Sequence, residues 1–578
     1  MNNCPPHTFT YFLVRFIFLL SLGWSSEVQV CHANTILQIK TQKDFEGLKA
    51  TLLEHLNKGD KNIIVAFTKG RYYYKYQHIF FANRQFPDVS IRFKGNGATI
   101  ISAGNDLIKD GPAVQYREGA GFIDANGRDY KNYSHMFQSD SLVDILDEKS
   151  KQCRIHCSEL KSIDSIDCTN AYIRITSWFT SYLYHVSKIA NGYVYFSADN
   201  LVLGYNYSGN YNVNYDYAIG KFLPRFRLVN LPLGGCQIVS TPHGLANRAS
   251  ERFVHQCETG FFILFQNCEF RQVSIEGFNI IGCRADCHIL RFKNLTAESI
   301  IISKNILSAS RGTTIYADGT DNITVKDCEF HDNYRDVINF SNTCSNAVIK
   351  KNTFYNNGKG VLNSFCIICW GENYMIANNE IRDFNYGGIG VGVWYKASER
   401  NKPCYGVVER NHIYYTDAYK KNKCSWTLID SGAIYVWTCN SGAVVRNNFI
   451  HDYTGMDSNR GIYCDDGTNN CSIYGNIVLN VDNCRAIDLR RSKTIENAPV
   501  GQRSNENNHI FGNVFNNDFL FEGRDDDSTS VKGGNTILVN SETSMPKMTV
   551  KNVVVESQDK ISEYKEKVWY RRGRKLVR

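Results

Sequence analysis

Asp430, Asp465, Asp466 and Asp488 fall in three phrases, Asp430-Ser-Gly-Ala-Ile-Tyr435, Ile462-Tyr-Cys-Asp-Asp-Gly467 and Ile487-Asp-Leu-Arg490. Two carboxyl groups held close together can divide their labour. Like charges raise each other's pKa, so one keeps its proton while the other stays ionised. A pair about 5–5.5 Å apart, or about 6.5–9.5 Å apart, is the arrangement that cleaves a glycosidic bond with retention or with inversion. Tyr435, Trp437 and Tyr463 stand beside these acids and have flat faces suited to sugar rings. Arg490 and Arg491 add fixed positive charge. Asp-Gly is also plain turn chemistry, so the aspartates gain meaning only from what positions them.

A repeat positions them. From residue 300 onward a β-branched residue, two variable residues, Asn, any residue and an apolar residue recur, as in Ile302-Ser-Lys-Asn305-Ile-Leu and Val445-Arg-Asn-Asn448-Phe-Ile. The Asn slot falls at 305, 352, 379, 411, 448, 476 and 513, with Cys328 taking one turn, at intervals of 23 to 37 residues. Such intervals suit a parallel β-helix coil whose insertions loop outward. Each Asn amide can sit at a turn and bond its equivalents above and below. A second strand follows each phrase, and aligning Ile315, Ile338, Ile389, Ile434, Ile462 and Ile487 sends these residues inward. Alternation then sends Tyr435, Trp437, Tyr463, Asp465, Asp488 and Arg490 outward. Stacked strands set equivalent positions about 4.8 Å apart and diagonal ones about 7–8 Å apart. Asp465 and Asp488 become diagonal neighbours.

The remainder of the chain fits an all-β, right-handed parallel β-helix with an N-terminal capping helix and an inserted β module. Arg15 and the apolar run Phe16 to Trp24 read as a signal peptide spanning 1–33, with Cys31 as a weaker lipid-attachment candidate. A cap and the first coils occupy 34–109, where Thr41 caps a helix with Phe45, Leu48, Leu52 and Leu56 on one face. A β-rich insertion fills 110–235, with a hairpin turn at Asn191-Gly192 and tyrosines at 205, 207, 211, 215 and 217. The β-helix runs 236–535, and 536–578 forms a C-terminal cap with a basic tail. The 20 cysteines are irregularly spaced and read mostly as small buried fillers. Cys153 with Cys157, and Cys283 with Cys287, are candidate disulfides for an exported protein. The net charge of +8 is mild and partly in the tail. No nucleic-acid module and no later transmembrane segment is visible.

The stretch from about 255 to 520 resembles the pectate-lyase-like superfamily of right-handed β-helices. Within it, DSGAIY (430–435), RNNFIHDY (446–453) and GIYCDDGT (461–468) resemble the β-helix glycosidases that include α-L-fucosidases and β-xylosidases. That resemblance implies carboxylates on outward positions of neighbouring coils as catalytic acids, with Asp430 and Asp465 matching the fucosidase-like pattern. The xylosidase-like pattern would place a glutamate where this chain has Arg490. The leading expectation is a secreted or periplasmic glycoside hydrolase with no cofactor, acting on a polysaccharide or oligosaccharide. Two alternatives stay open. One is a polysaccharide lyase, with Ca²⁺ on Asp465, Asp466 and Asp488 and Arg490 or Arg491 as base. The other is a glycan-binding solenoid without catalysis.

Overall fold

The computed structural model describes residues 34–74, 78–102, 137–138, 144–147, 149–150, 152–161, 171–176, 181–201, 225–230, 236–239, 252–255, 261–283, 287–310, 312–333, 335–358, 364–392, 405–422, 431–437, 442–453, 459–465, 468, 470–481, 484–489, 508–515, 530–531, 535–539 and 553–557. Within these, most coils give one short strand to each of three parallel ladders, and the molecule is a right-handed parallel β-helix. The first face stacks Thr313–Asp318, Ile338–Phe340, Phe365–Cys369, Gly387–Gly392, Gly432–Trp437, Asn459–Cys464 and Cys484–Leu489. The second runs from Thr35–Ile39 to Ser530–Val531, and the third from Arg71–Tyr74 to Val553–Ser557. Parallel pairing keeps like positions in register. Leu290, Ile315, Ile338, Ile367, Ile389, Ile434, Ile462 and Ile487 therefore form one column inside the solenoid.

The recurring Asn stacks at the turn between the second and third faces. Asn352, Asn379, Asn411, Asn448, Asn476 and Asn513 form an unbroken buried ladder. In it each Oδ1 after Asn352 accepts the backbone N–H and the Nδ2–H of the Asn one coil below. The residue just before each slot is left-handed. Lys304, Asp327, Lys351, Asn378, Arg410, Asn447, Gly475 and Gly512 have φ between 53° and 63°. The second variable position of the repeat is therefore variable in side chain and constant in backbone. In the Cys328 coil the thiol stands where an amide oxygen would, facing the backbone and side-chain amides of Asn305. Burial pushes that thiol up to about 12.

Helix α1 (Gln42–Asn57) begins as expected. The Thr41 hydroxyl accepts the Asp44 N–H at 3.2 Å and the Asp44 carboxylate accepts the Thr41 N–H at 2.9 Å. Phe45, Leu48, Leu52 and Leu56 are buried against the first coils, with Phe45 edge-on to Phe67 and Tyr72. Between 137 and 230 lies a separate antiparallel sheet of seven strands. Its hairpin turns at Asn191-Gly192, where φ values of 53° and 79° suit a two-residue turn. Tyr205, Tyr207, Tyr211, Tyr215 and Tyr217 lie outside the described residues, as does the 1–33 leader. Neither Cys153 with Cys157 nor Cys283 with Cys287 is bridged, a correction to the disulfide expectation. Cys268, Cys328, Cys344, Cys366 and Cys464 fill interior positions.

Candidate functional site

The first face carries its side chains in a fixed rhythm. In Gly432–Trp437, Ala433, Ile434 and Val436 join the interior core, while Tyr435 and Trp437 join a second apolar cluster outside it. That outer cluster comprises Phe365, Ile368, Tyr386, Tyr435, Trp437 and Tyr463, with Trp370 packed on its edge. The coil at 387–392 explains why it forms. A Cβ on Gly387 would lie 2.0 Å from the Phe365 ring, and one on Gly390 would lie 2.8 Å from the Trp437 ring. Glycine on this coil opens a trough into which the rings above and below collapse.

The outward register of the sequence reading holds, but its exposure does not. Tyr435 and Tyr463 are buried, with centroids 4.5 Å apart, and the Arg460 guanidinium lies 3.9 Å over the Tyr463 ring. Both rings belong to the outer apolar cluster and show almost no surface to solvent. Strand alternation told which way these rings point and nothing of what closes over them. Trp437 is nearly buried as well, stacked on half-buried Trp370 at 4.6 Å. Trp370, unremarked in the sequence, is the ring of this group that keeps an accessible face.

The two described aspartates sit in unlike surroundings. Asp488 pairs in register with Tyr463, which sets Asp465 diagonally from it. Asp465 keeps 6% of its surface accessible, and its Oδ2 accepts the Tyr435 hydroxyl at 2.5 Å. Asp488 is fully buried. Its Oδ2 takes Arg460 Nε at 2.6 Å and Arg485 at 3.0 Å. Two guanidinium groups neutralise this carboxylate and leave it no contact with solvent. Asp488 therefore holds Arg460 over Tyr463, and its other oxygen, Oδ1, is buried with no hydrogen-bond partner among the described residues. Asp430, Asp466, Arg490 and Arg491 lie outside the described residues. No cluster of three His, Cys, Asp or Glu side chains with metal-binding geometry occurs among the described residues.

Two polar groupings escaped the sequence reading. One lies lower on the first face, around Arg291 and Tyr316. The other is a ladder on the third face, where His331, Tyr355, Arg382, Tyr414 and His451 occupy one column. Alternation was applied only to the strands after each Asn phrase, so the third face was never laid out. In that ladder the rings stack, Tyr414 on His451 at 4.9 Å and His331 on Tyr355 at 5.0 Å, so they turn edges outward and support one another. Asp452 follows His451 in the chain, just past the end of its strand. Burial raises its pKa, but His451 Nδ1 at 2.6 Å, Asn480 and Lys420 together hold it well below the usual carboxylate range.

A pH dependence follows. A carboxyl whose folded pKa is depressed contributes stability above its unfolded value, about 3.9, and loses it as pH falls through the folded value. Asp452→Asn is expected to lower the melting temperature at neutral pH, and the gap to the parent protein should shrink below about pH 4. A gap that stays constant from pH 7 to pH 2 would show that the Asp452 charge contributes nothing.

Comparison with known proteins bears on the scaffold. No curated protein matches the chain. Among solved structures it is similar to a protein titled "Glycoside hydrolase" (TM-score 0.41, 10% identity, covering 88% of this chain and 96% of that one). It is also similar to the A-module of an Azotobacter vinelandii mannuronan C-5 epimerase (TM-score 0.33, 12% identity, 52% and 79% covered). A PL6 alginate lyase in complex with a trisaccharide gives a TM-score of 0.24 at 11% identity, with 51% and 80% covered. Residues 247–366, which hold the first coils after the antiparallel sheet, match the family model described as the right handed beta helix region.

Proposed function

We propose that the protein is an exported polysaccharide-processing enzyme that lays its substrate along the first face and hydrolyses a glycosidic bond. Asp465 is the reacting carboxyl whose contact with substrate the geometry supports, and Asp430 is its partner in the pair. The observation that carries this reading is the contrast between the two described aspartates. Tyr435 orients the Asp465 carboxyl, largely buried but still 6% exposed, on the strand beside Trp437, whereas Asp488 is fully buried and paired with two arginines. A carboxyl oriented by a hydroxyl beside an aromatic platform is suited to exchange a proton with a glycosidic oxygen. Trp370 supplies the stacking face next to it.

The test is a panel of neutral and acidic glycans, assayed for new reducing ends with and without chelator. Hydrolysis gives reducing ends, no ultraviolet-absorbing product and no loss on chelation. An unsaturated uronate in the product would replace the hydrolase with the lyase. Binding without turnover of any glycan would leave only a binding solenoid.

A further inference from the structure

Three successive coils at the lower end of the first face carry a grid of partly exposed polar side chains. The strand pairings put Arg291, Tyr316 and Asn339 in one column and Lys293 beside Asp318 in the next. His288 pairs with Thr313 three residues before Arg291, and Asp336 begins the third coil. His288, Arg291, Lys293, Tyr316, Asp318, Asp336 and Asn339 are all partly exposed, in contrast to the buried outward residues around Tyr435. Here the face is open.

Arg291 sets the chemistry of the grid. Its guanidinium lies 5.2 Å from the Phe261 ring and 5.8 Å from the Tyr316 ring, and Tyr316 itself stacks on His288 at 4.7 Å. The rings hold the planar group in one orientation without consuming its hydrogen bonds. Arg291 Nε is buried and has no acceptor among the described residues. A buried guanidinium N–H without an acceptor is costly, and a planar anion presenting two oxygens is the ligand that relieves it. Lys293 adds a second positive charge in the same coil.

The acids of the grid are already committed. Asp318 takes the hydroxyls of Ser341 at 2.8 Å and Thr343 at 2.7 Å. Asp336 accepts the Phe365 N–H at 3.0 Å and the Asn339 amide at 3.3 Å, and burial moves its pKa upward despite Arg335 beside it. Neither is placed to satisfy Arg291.

We propose that this grid is a binding site for an anionic sugar unit, with Arg291 receiving its carboxylate or sulfate and Tyr316 and Asn339 flanking the ring. The site lies six coils from Asp465 in the same ladder, about 29 Å at the strand spacing. A polymer running parallel to the solenoid axis would meet both. The substrate class is thus an acidic polysaccharide engaged over several units. This inference rests on the proposed function only for the presence of a glycan on this face, and it stands without hydrolysis.

The experiment measures binding by calorimetry to the full chain carrying Asp465→Asn, which suppresses turnover. The probes are uronate hexamers, sulfated hexamers and neutral hexamers. Acidic hexamers should bind at least tenfold more tightly than neutral ones. Arg291→Ala should remove that advantage, and Arg291→Lys should restore part of it by returning charge without the fork. Whichever acidic probe depends more on Arg291 identifies carboxylate or sulfate as the natural group. Lys293→Ala provides a second, partly exposed position should Arg291→Ala fold poorly, and it should weaken acidic binding several-fold. Equal affinity for acidic and neutral hexamers, or acidic binding untouched by both substitutions, would overturn the site. If no glycan is hydrolysed while Arg291-dependent binding persists, the hydrolase reading fails and this one survives.

Discussion

Asp465→Asn is expected to lower turnover at least about a hundredfold, the low end for losing a general acid or base, while the fold survives. The reasoning is local. An asparagine can still accept the Tyr435 hydroxyl through Oδ1, so the packing around Tyr435 and Trp437 has no cause to change. What disappears is the ability to give and take a proton. Asp488→Asn makes the informative contrast, because it acts through stability. Arg460 is 1% exposed, and removing its anion strands a buried guanidinium at a cost of about 3–5 kcal/mol. Denaturant unfolding and kcat measured on both variants separate the roles. Asp465→Asn should be stable and inactive, and Asp488→Asn unstable, with activity falling in proportion to folded protein. Full turnover in folded Asp465→Asn would sink its assignment as the reacting carboxyl, leaving the solenoid untouched.

How much of this could be read beforehand depends on range. The coil repeat was legible because it is written in one-residue chemistry: a β-branched residue, an Asn at one turn three positions on, and an apolar residue two positions after that; the left-handed backbone just before the Asn carries no such residue signature. The inward column from Ile315 to Ile487 was legible for the same reason, since strand alternation is a property of neighbours in the chain. The helix start at Thr41 and the turn at Asn191-Gly192 are equally local signals. What the outward residues meet is set by other coils and could not be read. Tyr463 is buried because Arg460 lies across it and Tyr435 packs beneath, and Asp488 is paired with arginines 3 and 28 residues away. The trough at Gly387 and Gly390 shows the limit well. Those glycines look like breaks in a strand until Phe365 and Trp437 are seen to fill the space. The Arg291 grid was missed for a simpler reason. Leu290 was not included in the aligned column, so Arg291 was never placed beside Tyr316 and Asn339.

The Asn ladder offers the largest stability effect. Asn448 Oδ1 accepts the backbone N–H and the Nδ2–H of Asn411, each at 3.0 Å, while its own Nδ2 donates to Val408 O at 2.9 Å and Asn476 Oδ1 at 3.0 Å. Asn448→Leu deletes all four bonds and leaves two buried donors on Asn411 and one buried carbonyl with no replacement. At about 1–3 kcal/mol for each stranded group, and with some relaxation, the loss should be about 3–5 kcal/mol. Asn305 provides an internal scale. It stands below Cys328, outside the unbroken run, and its side chain makes two bonds to backbone groups, Phe278 N at 3.0 Å and Ile275 O at 2.9 Å. Asn305→Leu should therefore cost distinctly less than Asn448→Leu. Gln85→Leu, at an exposed strand position, should stay within about 0.5 kcal/mol of the parent. Urea unfolding of the three variants orders them directly. Equal midpoints for Asn448→Leu and Gln85→Leu would mean that the ladder marks the coils without holding them together. A cost for Asn448→Leu well above that for Asn305→Leu would show that each amide bonded to an amide above and below is worth more than one that meets backbone and the Cys328 thiol.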